Sequence, residues 1–230
     1  MFSQFDFDVI SRSWVYLFQV GMLFTLKLTV LSMLGGVVLG TLLALARLSP
    51  IAPLSWLAAG YVNLMRAVPL LLVIFWFYFL VPYIGAWLIG AQEPVKVGAF
   101  WSALVTFILF QAAYYCEIMR GGIQAIPRGQ VLAAQALGLR YWQVMGTVVL
   151  PQAFRNMLPV LLTQTIVLFQ DVSLVYVLSA PDFVGLASKV AQRDGRLVEM
   201  YLFVALVYFV LCSGLSWLVR QLQRRVAIIR

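Results

Sequence analysis

The sequence predicts an all-α integral membrane protein with five transmembrane helices. Of its 230 residues, 63% are apolar and 10% charged, against roughly 45–50% and 25% in soluble domains. Five apolar stretches approach the ~20 residues that a helix needs to cross a hydrocarbon core of ~30 Å. The basic residues collect in alternate connections between those stretches. Five spans use roughly 100 positions and leave loops but no room for a second soluble domain, so residues 1–230 read as one transmembrane domain.

The first span is expected over 18–46, interrupted only by Lys27 and closed by Arg47, Pro50 and Pro53. Asp6 and Asp8 precede the first basic residue, the wrong charge order for a cleavable signal peptide. Leu54 to Arg66 reads as an interfacial helix feeding a second span over 67–89. A polar loop around Glu93 and Lys96 leads to a third span, 99–118, with Gln111 near its middle. The segment 119–156 is too polar in places to cross and reads as a loop outside the bilayer, with a second short helix ending before Pro151. A fourth span over 157–178 contains Gln164, Gln170 and Asp171, and a fifth covers 199–219. The tail from Leu218 to Arg230 alternates arginine with apolar residues, as an amphipathic anchor on the inner leaflet would.

An odd number of spans puts the two ends on opposite sides, and the positive-inside rule chooses between them. One side carries Arg47, Arg66, Arg120, Arg128, Arg140 and Arg155, plus the tail arginines Arg220, Arg224, Arg225 and Arg230. On the other, Arg12, Lys96, Lys189, Arg193 and Arg196 are outnumbered by acids. The N-terminus is therefore expected outside and the C-terminus in the cytoplasm. This placement also accounts for the net charge of +8, which faces anionic headgroups and cytoplasmic partners; nothing resembling a nucleic-acid module accompanies it.

Several chemistries are excluded. The chain has no histidine, which removes the zinc and triad arrangements that depend on it and the commonest general base. Cys116 and Cys212 lie far apart inside apolar segments and fit neither a disulfide framework nor a metal cluster. No Gly-x-x-x-x-Gly-Lys-Ser/Thr loop is present to cradle ATP. The chain is expected to be non-enzymatic, with no metal site and no cofactor of its own.

The loop 119–156 holds the strongest signal. Leu132-Ala133-Ala134 is followed by Gly138 and then by Val148-Val149-Leu150-Pro151. That reads as a short helix with small side chains, a glycine stop that fixes its angle, a bend and a second helix. Small residues on an exposed helix let another protein approach its backbone.

The spacing resembles the EAA motif of ABC-importer permeases: Glu-Ala-Ala, three residues, Gly, nine residues, Ile, one residue, Leu-Pro. Ala133, Ala134, Gly138, Leu150 and Pro151 match, Val148 stands in the Ile place, and Leu132 replaces the Glu. Arg66-Ala67-Val68-Pro69-Leu70-Leu71 is similar to the Arg-Gly-Thr-Pro-Leu-Leu of polar-amino-acid permeases, and Ala113 to Ile123, Leu150 to Arg155 and Asp171 to Leu174 follow suit. Within that family, Leu168 to Leu178, Arg193-Asp194-Gly195 and Ala112 to Tyr115 look most like the glutamate/aspartate permeases.

The resemblance implies a MetI-like core in a bacterial inner membrane, importing an acidic amino acid. It also implies partners: an ATPase dimer binding ATP and Mg, a related but different second permease subunit, and a periplasmic binding protein. The same machinery could serve another polar amino acid such as glutamine. An ion-coupled secondary carrier is the competing class, but such carriers carry paired repeats that five spans do not offer.

Ala133, Ala134, Gly138, Val148, Leu150 and Pro151 are therefore the candidate ATPase-coupling residues. Glu117 and Arg120, at i and i+3 on one helix face, are expected to pair and support the loop. Lys27 and Asp171 are intramembrane charges, each about 10 Å below the outer surface. The expectation is that they pair, directly or through Gln170 or water, weighed evenly against Lys27 snorkelling outward and Asp171 bracing another helix. With Ser173 they are the translocation-path candidates.

Overall fold

The computed structural model describes residues 6–226. Five of its helices are long and apolar enough to cross a membrane: Asp8–Arg47, Leu70–Ile89, Ala99–Gln124, Tyr141–Leu178 and Leu197–Arg225. The first comprises α1 (Asp8–Tyr16), a wide π-helical stretch Leu17–Met22 and α2 (Leu23–Arg47). It starts well before residue 18, because Val9, Ser13 and Leu17, four residues apart, bury one continuous face. Helix α3 (Ala52–Ala67) carries Pro53 in its first turn, where the missing N–H costs nothing. Val68 is forced into extended conformation by Pro69 behind it, so the helix breaks there.

The second span follows as α4 (Leu70–Phe75), a π-helical stretch Trp76–Leu80 and α5 (Val81–Ile89). The third is α6 (Ala99–Gln124), which runs past the expected end at residue 118. Next come α7 (Arg128–Ala136) and α8 (Tyr141–Val144), then π-helical Met145–Val149, α9 (Leu150–Asp171) and a 3-10 stretch Val172–Leu178. The chain finishes with α10 (Phe183–Asp194) and α11 (Leu197–Val226).

The helix ends differ from the sequence expectations at several places. The loop assigned to 119–156 is far shorter, because α6 and the fourth span extend into it from both sides. The second loop helix does not end before Pro151; it is continuous with the fourth span. The wide turn Met145–Val149 immediately precedes Pro151 and makes room for a ring that an α-helical carbonyl would clash with, and Trp76–Leu80 does the same for Pro82. The segment between the fourth and fifth spans contains α10. Finally, α11 continues unbroken to Val226 rather than turning into a separate tail helix at Leu218, while Arg230 lies outside the described residues.

The tightest packing is α2 against α6. A Cβ on Gly40 would come within 2.8 Å of the Tyr115 Cβ and 2.9 Å of the Ala112 carbonyl oxygen, so only glycine admits this approach. Leu28, Val73, Phe107 and Leu168 fill the core where α2, α4, α6 and α9 meet. Outward, Leu34, Val38, Leu42, Leu206 and Phe209 are exposed, an apolar exterior that suits acyl chains and not water. Inside the spans, Thr25, Thr29, Thr41, Thr106, Thr163 and Thr165 donate to the carbonyl one turn back, which satisfies hydroxyls that lipid could not.

The two ends of the bundle differ in charge. Asp6 approaches both Arg12 and Arg196, which joins the start of the chain to the start of α11. Arg47, Glu117 and Arg120 gather at the opposite, basic end, beside α7 and α8.

Candidate functional site

At the basic end, α7 stands off the bundle on a fixed mount. Gly138 has φ +85° and closes α7: the Gly138 N–H donates to the Gln135 carbonyl at 2.9 Å and the Leu139 N–H to the Ala134 carbonyl at 3.2 Å. This is a Schellman stop, and its left-handed residue strains any side chain larger than hydrogen. The Gln152 amide donates to the Gln130 side chain and to the Val148 carbonyl, both at 2.8 Å, tying α7 to the start of α9.

The candidate coupling residues divide by face. Ala134 is buried against Ile126, Val144, Val149 and Ala153 of its own chain, so it is a mounting residue and not part of the presented surface. Ala133, Gly138 and Pro151 are exposed, while Val148 and Leu150 are half-buried in the mount. The presented surface also carries Leu132, Leu137 and Trp142, all strongly exposed. Sequence reading missed this apolar face. The signal was there in Leu132, where the resembling motif has an acid.

Glu117 holds more than its expected partner. One carboxylate oxygen accepts from Arg120 at 2.7 Å through Nη2 and 3.1 Å through Nε, and the other accepts from Arg47. Arg66 approaches that second oxygen at 3.8 Å and lies 5.7 Å from the centroid of the Tyr114 ring. Three guanidiniums therefore share one carboxylate. Three parts of the chain supply them: the end of α2, the end of α3 at its break, and α6. The Arg47 carbonyl also accepts from the Ser55 hydroxyl at 2.8 Å, fixing the corner between α2 and α3.

Within the spans, Lys27 is exposed and Asp171 half-buried, and no direct ion pair joins them among the described residues. Lys27 sits on the outward face of α2 between Leu23, Leu26, Val30 and Leu31. Gln170, unlike its neighbour Asp171, lines a cleft of about 600 Å³ between the fourth and fifth spans with Thr163, Tyr208, Ser213, Ser216 and Arg220. Ser173 is half-buried outside that cleft. A polar layer joins α6 to α9 instead: Gln164 donates to Gln111 at 3.0 Å, and the Tyr115 and Thr165 hydroxyls are 2.9 Å apart.

At the other end, Asp182 is fully buried and caps α10, accepting from the Val184 N–H at 3.0 Å and the Gly185 N–H at 3.3 Å. The Phe183 N–H donates to the Thr25 hydroxyl of α2 at 3.1 Å. Burial pushes the Asp182 carboxyl up to about 7, against the opposing pull of its backbone donors and Lys189.

Five helices apolar enough to cross a membrane, with a short helix at one end that leaves Leu132 and Leu137 exposed, define a membrane protein. Residues 36–228 match the family described as the binding-protein-dependent transport system inner membrane component, and the chain belongs to that family. It is a non-catalytic permease subunit of a bacterial inner-membrane ABC importer, in which a separate subunit hydrolyses ATP.

The chain is 50% identical over 224 residues to the glutamate/aspartate import permease protein GltK of Escherichia coli O6:H1, covering 97% of this chain and 99% of that one. It is 34% identical to the arginine transport system permease protein ArtQ of Bacillus subtilis, with coverage of 89% and 90%. Among solved structures, an amino acid ABC transporter crystallised with histidines superposes with a TM-score of 0.81 at 31% identity, covering 96% and 98%. The inward-facing MetNI methionine transporter superposes at 0.70 and 20% identity, covering 90% and 95%, a likeness of fold.

Proposed function

We propose that this chain forms part of the path through which glutamate or aspartate is imported, with its N-terminus outside and its basic end in the cytoplasm. The single observation that carries the substrate is the 50% identity to GltK over almost the whole of both chains, against 34% for the arginine permease ArtQ. The orientation rests on the arginine excess beside α7.

In this reading the exposed face of α7, with Ala133 and the Gly138 stop, seats in a groove of an ATPase dimer, which binds ATP and Mg. Val148, Leu150 and Pro151 stiffen the mount, so a push on α7 passes to α9 without loss in a flexible hinge. A related but different second permease completes the path, and a periplasmic binding protein delivers the amino acid. Lys27, Gln170, Asp171 and Ser173 remain path candidates as separate residues, without a direct Lys27–Asp171 ion pair.

Uptake of labelled glutamate, aspartate and glutamine by membrane vesicles containing the assembled transporter tests the reading. Vanadate-sensitive uptake of the two acids is expected, with glutamine at least tenfold slower. Glutamine uptake exceeding that of the acids would replace the substrate, and uptake driven by a proton gradient without ATP would replace the mechanism.

A further inference from the structure

The three guanidiniums around Glu117 are not equivalent. Arg47 and Arg120 each bond a carboxylate oxygen and are 17% and 32% exposed, whereas Arg66 is 44% exposed and reaches only the oxygen that Arg47 already holds. At 3.8 Å that approach is beyond hydrogen-bonding range. A guanidinium carries five N–H donors. The Tyr114 ring face beside Arg66 attracts the cation but accepts none of them in the manner of an oxygen. One carboxylate against three cations also leaves the cluster with excess positive charge.

Arg66 stands at the basic end of the bundle, 3.8 Å from the Glu117 carboxylate. Tyr114 lies about 15 Å along α6 from its Gln124 end and about 22 Å from its Ala99 end, at 1.5 Å per residue. A half-exposed guanidinium is costly against acyl chains and so belongs beside water or a polar occupant. The backbone agrees: α3 ends one residue later, and Val68 and Pro69 are extended, an irregular stretch that a membrane protein tolerates where it lines a cavity or is buried in protein. Asn63, Leu64 and Ala67, near Arg66 on the chain, are also exposed.

We infer that Arg66 receives a carboxylate of the transported amino acid on its way to the basic end, with Glu117 holding the guanidinium in place until the substrate arrives. The fork of Arg66 can grip a carboxylate through two N–H groups, and Arg47 and Arg120 keep Glu117 neutralised when Arg66 turns to the substrate. This rests on the reading of the chain as an amino-acid permease and names a contact within it.

The test uses the purified permease–ATPase complex without binding protein, assayed for equilibrium binding of radiolabelled L-glutamate and L-aspartate. Arg66→Gln is expected to weaken binding at least tenfold. Arg66→Lys, which keeps the charge and loses the fork, is expected to weaken it two- to fivefold. Unchanged affinity in Arg66→Gln, or equal losses in the two variants, overturns the inference. Should Arg66→Gln fail to co-purify with the ATPase, Arg66→Lys decides: the two- to fivefold loss supports the inference and unchanged affinity overturns it. If the parent complex binds neither acid but another amino acid, the acidic-substrate reading fails, and the same variants are read with that amino acid, whose α-carboxylate makes the same demand. If it binds no amino acid at all, both fall.

Discussion

The two ends of this bundle solve the same problem in opposite ways. Each carries a short helix outside the spans, α10 at one end and α7 at the other. Helix α10 is closed on its own chain: Phe183, Leu186, Ala187, Val190 and Ala191 are buried against α11 and the first span, and Asp182 and Thr25 satisfy its first N–H groups. Helix α7 buries little beyond Ala134 and leaves Leu132 and Leu137 exposed. One helix is buried in the fold, and the other leaves apolar side chains exposed. In the proposed reading, that exposed apolar surface is what the ATPase covers.

The largest effect is expected at the basic end, from the ion cluster that anchors the mount. Glu117→Gln removes the carboxylate that Arg47, Arg66 and Arg120 share and leaves three cations facing one another. Breaking such a mostly buried network costs about 2 kcal/mol after allowance for its partial exposure. The detergent-solubilised protein should melt several degrees lower, and ATPase co-purification should fall. A melting temperature equal to the parent's would mean that the cluster does not support the loop.

Gly138→Val comes next and separates presentation from folding. The left-handed backbone at φ +85° costs an L-residue about 1–2 kcal/mol, more when it is β-branched. The strain changes the angle of α7 while leaving the spans intact. Membrane content should stay near the parent's, with uptake falling at least tenfold and ATP hydrolysis uncoupled from it. Normal transport by this variant would remove α7 from the coupling path.

A pair of substitutions sharpens the contrast between the two faces of α7. Ala134→Leu overfills the buried mount and should lower thermal stability by about 1–3 kcal/mol. Ala133→Leu adds bulk only to the exposed face, so it should leave stability within about 0.5 kcal/mol and weaken ATPase association severalfold. Reversed outcomes would mean that the docking face has been assigned to the wrong side.

Much of this was legible in the sequence, for identifiable reasons. Span existence follows from composition, and the Gly138 stop follows from local spacing; both survive in the structure. The start of the fourth-span helix was not legible, because the π-helical stretch Met145–Val149 absorbs Pro151, and such a wide turn leaves no mark in a hydropathy profile. The pairing of Glu117 with Arg120 was readable since it lies within one helix turn. Its bonds to Arg47 and Arg66 depend on how α2 and α3 pack against α6, which local spacing does not encode. Sequence could not choose between a Lys27–Asp171 pair and separate roles for the same reason: equal depth does not fix the direction in which each side chain points.

The smallest expected effect is a dependence on pH at the closed end. The Asp182 carboxyl releases its proton near 4 in the unfolded chain and at about 7 in the folded one, where burial disfavours the charge. Between those values the folded state holds a proton that the unfolded state has lost, so stability falls as pH rises from about 4 to 7 and levels off above. Lys189 and the backbone donors of α10 moderate the effect without reversing it, since they favour the ionised form. Asp182→Asn keeps an oxygen to cap α10 and removes the titration. Its melting temperature should therefore change less with pH across that window than the parent's, at about 2–4 °C for each kcal/mol of difference. Parallel slopes in the two proteins would move the titrating group elsewhere, while a loss of α10 protection in hydrogen exchange for the Asn variant alone would mean that the charge, and not the cap, holds the helix in place.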